Sequence, residues 1–187
     1  MKKQRKQLIT MAVFLGFLIV AYITLGAYNE EQAKKEEQNK ENETFVVTDF
    51  DYEDVVAFSY NYEEEKNSFT KSGDEWSYDG DTTFDVDESL IEDMLSDACS
   101  VIAQDYVDAY ESLDNYGLDT PQKTVCLTFA DGSTANIQIG NYNDMIGYYY
   151  LMVDGDTNLY LVDSTLWTAF EVSYTDLEYI EEVTEEQ

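Results

Sequence analysis

Closely spaced carboxylates are the side chains of this sequence with the clearest chemical potential. They occur at Asp79, Asp81, Asp85 and Asp87 in YDGDTTFDVDES and at Asp154 and Asp156 in DGDTN. Ca²⁺ prefers clustered oxygen ligands, and an EF-hand loop needs glycine at its sixth position and glutamate at its twelfth. Counted from Asp79, those positions hold Phe84 and Leu90. We therefore interpret these aspartates as turn residues and assign no metal site.

Other catalytic groups are scarce. The chain has no histidine, which removes Ser-His and Cys-His pairs and histidine metal ligands. Arg5 is its single arginine, so the region after the N-terminus has no guanidinium to clamp phosphate or carboxylate. A pair of carboxylates, as in glycoside hydrolysis, is the remaining route to catalysis. Because the chain has so many acids, such pairs arise by chance and do not indicate an active site. We expect no enzymatic activity and no cofactor.

The charge is strongly negative and unevenly distributed. Formal net charge is -30, from 40 acidic and 10 basic residues. Six of the glutamates fall in residues 29–44, which leaves 34 acids after them against only Lys66, Lys71 and Lys123, a net charge of -31. Nucleic-acid binding needs a basic surface, and an anionic lipid surface would also repel this region. The sequence thus excludes nucleic acid as a partner.

The N-terminus predicts a membrane anchor. Residues 1–7, MKKQRKQ, are basic, and residues 8–28, LITMAVFLGFLIVAYITLGAY, contain no charge and no proline. About 20 apolar residues in a helix span a bilayer core. The positive-inside rule places residues 1–7 in the cytoplasm and everything after the span outside. The partner of residues 8–28 is then the lipid bilayer, and the location is the cell membrane, crossed once.

A cleaved signal peptide is the alternative for this segment. A signal peptide has a shorter apolar region, and TLGAY is a poor small-residue cleavage site because of Leu25. We therefore favour an uncleaved transmembrane helix over residues 8–28. Residues 29–44, NEEQAKKEEQNKENET, have no apolar residue larger than alanine and form a charged spacer. The extracytoplasmic domain is predicted to comprise residues 45–187.

Hydrophobic periodicity predicts the elements of that domain. VVAFSYNY is predicted as a strand whose apolar face is formed by Val56, Phe58, Tyr60 and Tyr62. The segment around Gly73, with Trp76 after it, indicates a hairpin. DVDESLIEDMLSDACSVIAQ has helical periodicity, with one face formed by Leu90, Met94, Ala98, Val101 and Ile102, with Ile91 and Leu95 beside it and Cys99 toward its edge. Asp87 or Ser89 is expected to cap this helix.

Four further strands are predicted in KTVCLTFA, TANIQIG, GYYYLMV and NLYLVD. Asp131-Gly132 and Asp154-Gly155 indicate hairpin turns between them. STLWTAF is predicted as a short helix capped by Ser164, and the acidic tail either docks through Leu177 and Ile180 or frays. Three strands, a helix, four strands and a helix indicate an α+β fold, mostly antiparallel, with helices packed on one face.

Cysteine and tyrosine leave alternatives open. Cys99 and Cys126 are too few for a disulfide framework. They would form one bridge outside the cytoplasm or serve as small apolar fillers, and we favour unpaired thiols. The triplet Tyr148, Tyr149 and Tyr150 would place rings on both faces of a sheet. Exposed rings would stack on sugars or fill a partner's pocket. Alternatively, the rings on one face pack in the core and those on the other form cross-strand pairs. We favour the last interpretation.

The single proline lies in a segment with its own structural logic. In DNYGLDTPQ, Gly117 is predicted to end a helical turn with a left-handed cap, and Leu118 to pack back onto that turn. Pro121 prevents helical continuation and biases Thr120 toward extended structure. We expect the segment to carry the chain from a helical turn into the antiparallel strands.

The order of these features resembles the domain-of-unknown-function family 4340 over about residues 52–180. The matching positions are Tyr116, Gly117, Leu118, Asp119, Pro121, Gly132 and Gly140, after a strand pair that ends in Trp76. The resemblance implies a bacterial, membrane-anchored protein. Some members of the family accompany ABC-type export permeases. It implies no catalytic residue, so the matching positions are taken as a structural motif.

Two functions follow as hypotheses. The first is an extracytoplasmic interaction domain that serves as an accessory subunit of a membrane-protein complex, with an ABC-type permease complex as the partner that the resemblance suggests. The second is a cell-surface module that binds a glycan or a divalent cation through its tyrosines and acids.

Overall fold

A computed structural model describes residues 44–63, 65–107 and 109–180. Its strands are β1 (Phe45–Val46), β2 (Val55–Tyr62), β3 (Glu65–Ser72), β4 (Glu75–Tyr78), β5 (Ile102–Ala103), β6 (Asp105–Val107), β7 (Lys123–Phe129), β8 (Thr134–Asn143), β9 (Tyr148–Val153) and β10 (Leu159–Val162). Its α-helices are α1 (Glu88–Cys99) and α2 (Thr165–Ala169), and 3-10 turns occur at Tyr52–Asp54, Leu113–Tyr116 and Tyr174–Leu177. The predicted anchor at 8–28 and nearly all of the spacer lie outside these residues.

Eight of the strands form one antiparallel sheet in the order β4-β3-β2-β7-β8-β9-β10-β6. The run from β7 to β10 is a meander in which each strand pairs with the next. β1 and β5 form a separate antiparallel pair. The predicted α+β class and the antiparallel pairing are confirmed. The short strands β1, β5 and β6 were not predicted, because two or three residues are too few to show periodicity.

No helix among residues 44–63, 65–107 and 109–180 combines the length and apolarity that a bilayer crossing needs.

The apolar face of β2 differs from the prediction at its first residue. The pairing of β2 with β7 shifts register between Val55 and Ala57. Val55 is fully buried and Val56 is half-buried. A β-bulge inserts one residue into a strand and so reverses the alternation before it. Phe58 and Tyr60 are buried as expected.

Helix α1 is capped by Asp87, one of the two predicted candidates. The Asp87 Oδ1 atom accepts hydrogen bonds from the backbone N–H of Ser89 at 3.0 Å and of Leu90 at 3.4 Å. The predicted apolar face was rotated from the observed one: Leu90 is 38% exposed, whereas the buried residues are Ile91, Met94, Leu95, Ala98 and Cys99. The helix also ends before Ile102, which lies in β5 and is 51% exposed.

The core lies between α1, α2 and one face of the large sheet, which we call the inner face. Residues of β2, β3, β7, β8 and β9 on this face join Ile91, Leu95 and Phe170 in one buried cluster. Phe58 stacks on Phe69 with ring centroids 5.0 Å apart. Burial of these large side chains supplies the main stabilisation of the domain.

The C-terminal segment docks through one of its two predicted residues. Leu177 is 3% exposed, and its carbonyl accepts a 2.8 Å hydrogen bond from the N–H of Asp87. Ile180 is 79% exposed and does not dock.

The predicted cap of helix α2 is wrong, because the Ser164 side chain makes no capping hydrogen bond. Asp163 replaces it, since its Oδ1 atom accepts from the N–H of Thr165 at 2.8 Å.

Candidate functional site

The YGLDTP segment forms the predicted capped turn. The 3-10 turn Leu113–Tyr116 ends at Gly117, whose φ of 70° and ψ of 22° are left-handed. The N–H of Gly117 donates to the Asp114 carbonyl, and that of Leu118 donates to the Leu113 carbonyl. Leu118 is 3% exposed. The left-handed cap is confirmed, and Leu118 is buried, with its side chain beside Gly140 of β8.

Gly140 lies directly beneath this turn. A Cβ atom on Gly140 would overlap the Tyr116 carbonyl oxygen and come within 3.0 Å of the Leu118 Cγ atom. The pairing of β8 with β9 is irregular between Ile139 and Tyr142, beside this contact. The turn and the strand therefore approach more closely than a side chain at residue 140 would allow.

Pro121 carries the chain from this turn into β7, which begins at Lys123. The next side chain, Gln122, donates from Nε2 to the Asn141 Oδ1 atom at 3.0 Å, and its carbonyl accepts from Asn61 Nδ2 at 3.0 Å. Asp119 is exposed. The segment thus links the start of β7 to β2 and β8.

Two of the predicted motif residues lie elsewhere. Gly132 occupies the β7–β8 turn with φ 84° and open space around it. Trp76, in β4, is 7% exposed and packs edge-to-face on Phe58 at 5.3 Å. The motif therefore divides into a close-packed turn around Gly117 and Gly140, a hairpin turn at Gly132, and a core aromatic at Trp76.

A buried lysine was missed by the sequence analysis. Lys123 is 3% exposed, and its Nζ atom donates to the Phe170 carbonyl at 2.8 Å and pairs with Glu171 at 2.8 Å. The same atom lies 4.8 Å from the centre of the Trp167 ring, a cation–π geometry. The one sequence feature that could have indicated the burial of Lys123 is its position as the first residue of an apolar strand.

The tyrosine triplet divides between the two faces of the sheet, as predicted. Tyr149 stacks on Trp167 with ring centroids 4.8 Å apart. Tyr150 packs edge-to-face on Tyr116 at 4.8 Å, and its hydroxyl accepts from Asn143 Nδ2 at 2.6 Å. Both rings have partners within the domain, which agrees with their interpretation as packing residues.

Two aspartates of the acidic stretches, Asp81 and Asp156, stabilise local turns. Asp81 Oδ1 accepts from the backbone and hydroxyl of Thr83, and these bonds lower the pKa of Asp81. Asp156 accepts from the Tyr160 hydroxyl and from the N–H of Asn158, which lowers the pKa of Asp156. Across the described part of the chain, no three carboxylates or thiols are placed to hold a metal ion.

The face of the large sheet opposite the core, the outer face, carries an unusual surface. Its central part, which we call the uncharged patch, consists of Ala57, Ser59, Asn61, Thr124, Cys126, Thr128, Asn136, Gln138 and Met152. Their cross-strand register places Ser59 beside Cys126 and Cys126 beside Asn136. Charged residues make up 27% of the chain, and none is among these nine, although Lys66 opposite Asn61 and Asp154 bonded to Asn136 border the patch.

The model of the family "Domain of unknown function (DUF4340)" matches residues 76–178, more than half of the chain. The protein belongs to the DUF4340 family. The match contains Trp76, the Gly117 turn, Gly132 and Gly140, so the resemblance drawn from these residues is confirmed. No curated protein and no solved structure matches the chain.

Proposed function

We propose that this DUF4340 protein is a membrane-anchored, extracytoplasmic interaction domain that serves as an accessory subunit of a membrane-protein complex. Residues 1–7 lie in the cytoplasm, residues 8–28 cross the bilayer, and the spacer at 29–44 leads to the domain at 45–187. An ABC-type permease complex is the partner class that we propose. The role is one of binding rather than catalysis.

The uncharged patch is the observation that carries this proposal. Carboxylates are costly to desolvate in an interface unless they are paired, and the centres of protein interfaces are depleted in charge. A domain with a net charge near -31 has few surfaces on which a partner can dock without burying acids. The small, uncharged side chains of β2, β7 and β8 provide one that extends across three neighbouring strands of the sheet.

Cys126 offers a direct test, because it lies within the patch and is half-exposed, whereas Cys99 is buried. The full chain would be expressed in its native membranes and treated with a short cross-linker that is maleimide-reactive at one end and photoreactive at the other. We expect a cross-linked membrane protein in the wild type and none in Cys126→Ser. Identical products from both proteins, or adducts to lipid alone, would contradict the proposal.

A cysteine outside the patch tests the topology, since a bound partner would shield Cys126. A membrane-impermeant maleimide applied to intact cells should label Asp93→Cys in a Cys126→Ser background, because residue 93 is exposed on α1, and should leave Cys126→Ser alone unlabelled. Labelling that requires cell lysis would place the domain in the cytoplasm and contradict the predicted orientation.

A surface glycan-binding module is the second candidate, and a row of rings favours it. Tyr142 is 46% exposed and contacts Tyr149 at 4.9 Å, which in turn stacks on Trp167. Tyr142 is the exposed ring of the three, and its apolar face and polar hydroxyl are the features that a sugar would contact. A glycan array probed with the full chain and with Tyr142→Ala should show signals that the variant loses. An array on which the wild type binds nothing would remove this candidate.

A further inference from the structure

A cleft of about 710 Å³ lies beyond the inner-face core, between the segment before β2 and the ends of β7, β8 and β9. Its apolar wall and floor include Phe50, Phe129, Ala135 and Val153. The Phe50 and Phe129 rings meet at 5.1 Å with an angle of 59°. Phe50 is 36% exposed, so this aromatic corner is open to solvent.

Three carboxylates line the same cleft: Asp54, Asp131 and Asp154. The Asp131 Oδ1 atom accepts from the N–H and hydroxyl of Ser133 at 2.8 and 2.6 Å, which lowers the pKa of Asp131. Asp154 uses Oδ2 to accept from Asn136 Nδ2 at 2.5 Å. Each of these two carboxylates retains a second oxygen for another donor.

No basic side chain of the domain neutralises this rim. The lysines among the described residues are Lys66, Lys71 and Lys123, and none lines the cleft. Lys123 is bound to Glu171, and Lys71 lies over the Trp76 ring at 5.7 Å. The cleft therefore combines an apolar aromatic corner with negative charge that has no counter-charge among its lining residues.

We propose that this cleft binds a lysine or arginine side chain presented by a protein partner. The aliphatic stem of such a side chain packs on Phe50, Phe129 and Val153, while its charged end meets the carboxylates of the rim. A bare metal ion would make no use of the aromatic corner. A neutral apolar ligand would desolvate the acids without pairing them. The cleft is lined by other residues than the uncharged patch, so it is a separate point of recognition.

Titration with small peptides tests the proposal on the full chain in detergent micelles. The probes are an acetylated and amidated Ala-Lys-Ala tripeptide, the same tripeptide with norleucine in place of lysine, and ethylammonium. The readout is the methyl NMR signals of Ala135 and Val153. We expect the lysine peptide to bind with Kd of about 1 mM, and the other two probes at least about tenfold more weakly, a difference of ~1.4 kcal/mol.

Matched variants localise the effect. Asp131→Asn keeps an acceptor for Ser133 but removes the charge, and Phe50→Ala removes the aromatic wall; each should weaken lysine-peptide binding several-fold. Asp93→Asn removes the same charge from the exposed surface of α1 and should leave binding unchanged. Thermal melts of all variants verify folding.

Three results would overturn the proposal: no shifts with the lysine peptide, equal binding of norleucine or ethylammonium, or equal losses in Asp131→Asn and Asp93→Asn. None of these bears on cross-linking from Cys126. Failure of this inference is therefore distinguishable from failure of the proposed accessory function.

Discussion

Gly140 lies against Gly117: a Cβ atom on Gly140 would come within 3.2 Å of the Gly117 carbonyl carbon and would overlap the carbonyl oxygen of Tyr116. Two residues that the sequence analysis predicted as motif positions, separate in the chain, thus form one contact. The contact holds the segment that enters β7 against β8. Its role is to position strands, and the consequences for stability can be measured.

Replacing Gly140 with alanine should destabilise the domain by about 1–3 kcal/mol, the usual cost of overpacking. The new methyl group would meet backbone atoms of Tyr116, which cannot move as a flexible side chain would. Urea denaturation of the full chain in detergent, followed by near-ultraviolet circular dichroism, would measure the change. A variant as stable as the wild type would show that the turn and β8 are not in close contact.

Gly117→Val should be more destabilising than Gly132→Val. Both glycines have positive φ, 70° and 84°, so both valines would be strained. At Gly117 the side chain would also overlap Asn141, whereas the space around Gly132 is open. The two melting temperatures, compared side by side, isolate the packing contribution. Equal losses would mean that backbone strain alone explains the glycine at 117.

Lys123→Met should cost about 1–3 kcal/mol, because it leaves the buried carbonyl of Phe170 without its donor. Glu171→Gln is the matched comparison. Glu171→Gln keeps a hydrogen-bond acceptor beside Lys123, and water screens the ion pair because the Glu171 side chain is 49% exposed, so this variant should lose less stability. Denaturant unfolding of both variants would show which of them loses more stability. If Glu171→Gln were the more damaging, the ion pair rather than the hydrogen bond would be the main stabilising contact of Lys123.

The two thiols should differ sharply in reactivity. Burial, with a smaller contribution from the charge of Asp51, raises the pKa of Cys99 to about 11. Cys126 is half-exposed. At pH 8 iodoacetamide should therefore modify only Cys126 in the folded protein and both residues in denaturant, as counted by mass spectrometry. Rapid labelling of Cys99 without denaturant would contradict its position in the core.

Asp87→Ala should destabilise the domain by about 1 kcal/mol through loss of the α1 cap, whereas Asp87→Asn should retain most of it. The hydrogen bond from Ser89 lowers the pKa of Asp87 in the folded state. The charged form of Asp87 therefore stabilises the folded state fully at pH values above the pKa of the unfolded state, about 3.9. This stabilisation is lost as the pH falls through the lower pKa of the folded state. The difference in unfolding free energy between wild type and Asp87→Asn should be constant near neutral pH and shrink only in that acidic range.

Local sequence signals predicted the long elements well. The apolar alternation of β7, the left-handed glycine after the Leu113–Tyr116 turn and the aspartate before α1 each depend on neighbours in the chain, so they are visible without tertiary structure. The family of the chain was identified separately, by resemblance to a known family, and the family model matches residues 76–178. In contrast, the prediction of the buried face of α1 was wrong. Apolar residues cover more than one side of this helix, and packing against the sheet determines which side is buried.

What the sequence determined by itself was the α+β class, the antiparallel meander, the acidity of the domain and its membership of the DUF4340 family. The first three depend on composition and on spacing over a few residues, whereas the family was identified by resemblance to a known family and is shown by the match over residues 76–178. The contact of Gly117 with Gly140, the burial of Lys123, the uncharged patch and the cleft at Phe50 were decided only by the tertiary structure. Each brings together residues from distant segments, and the pairing of strands that does so is determined by packing of the whole domain rather than by any local pattern.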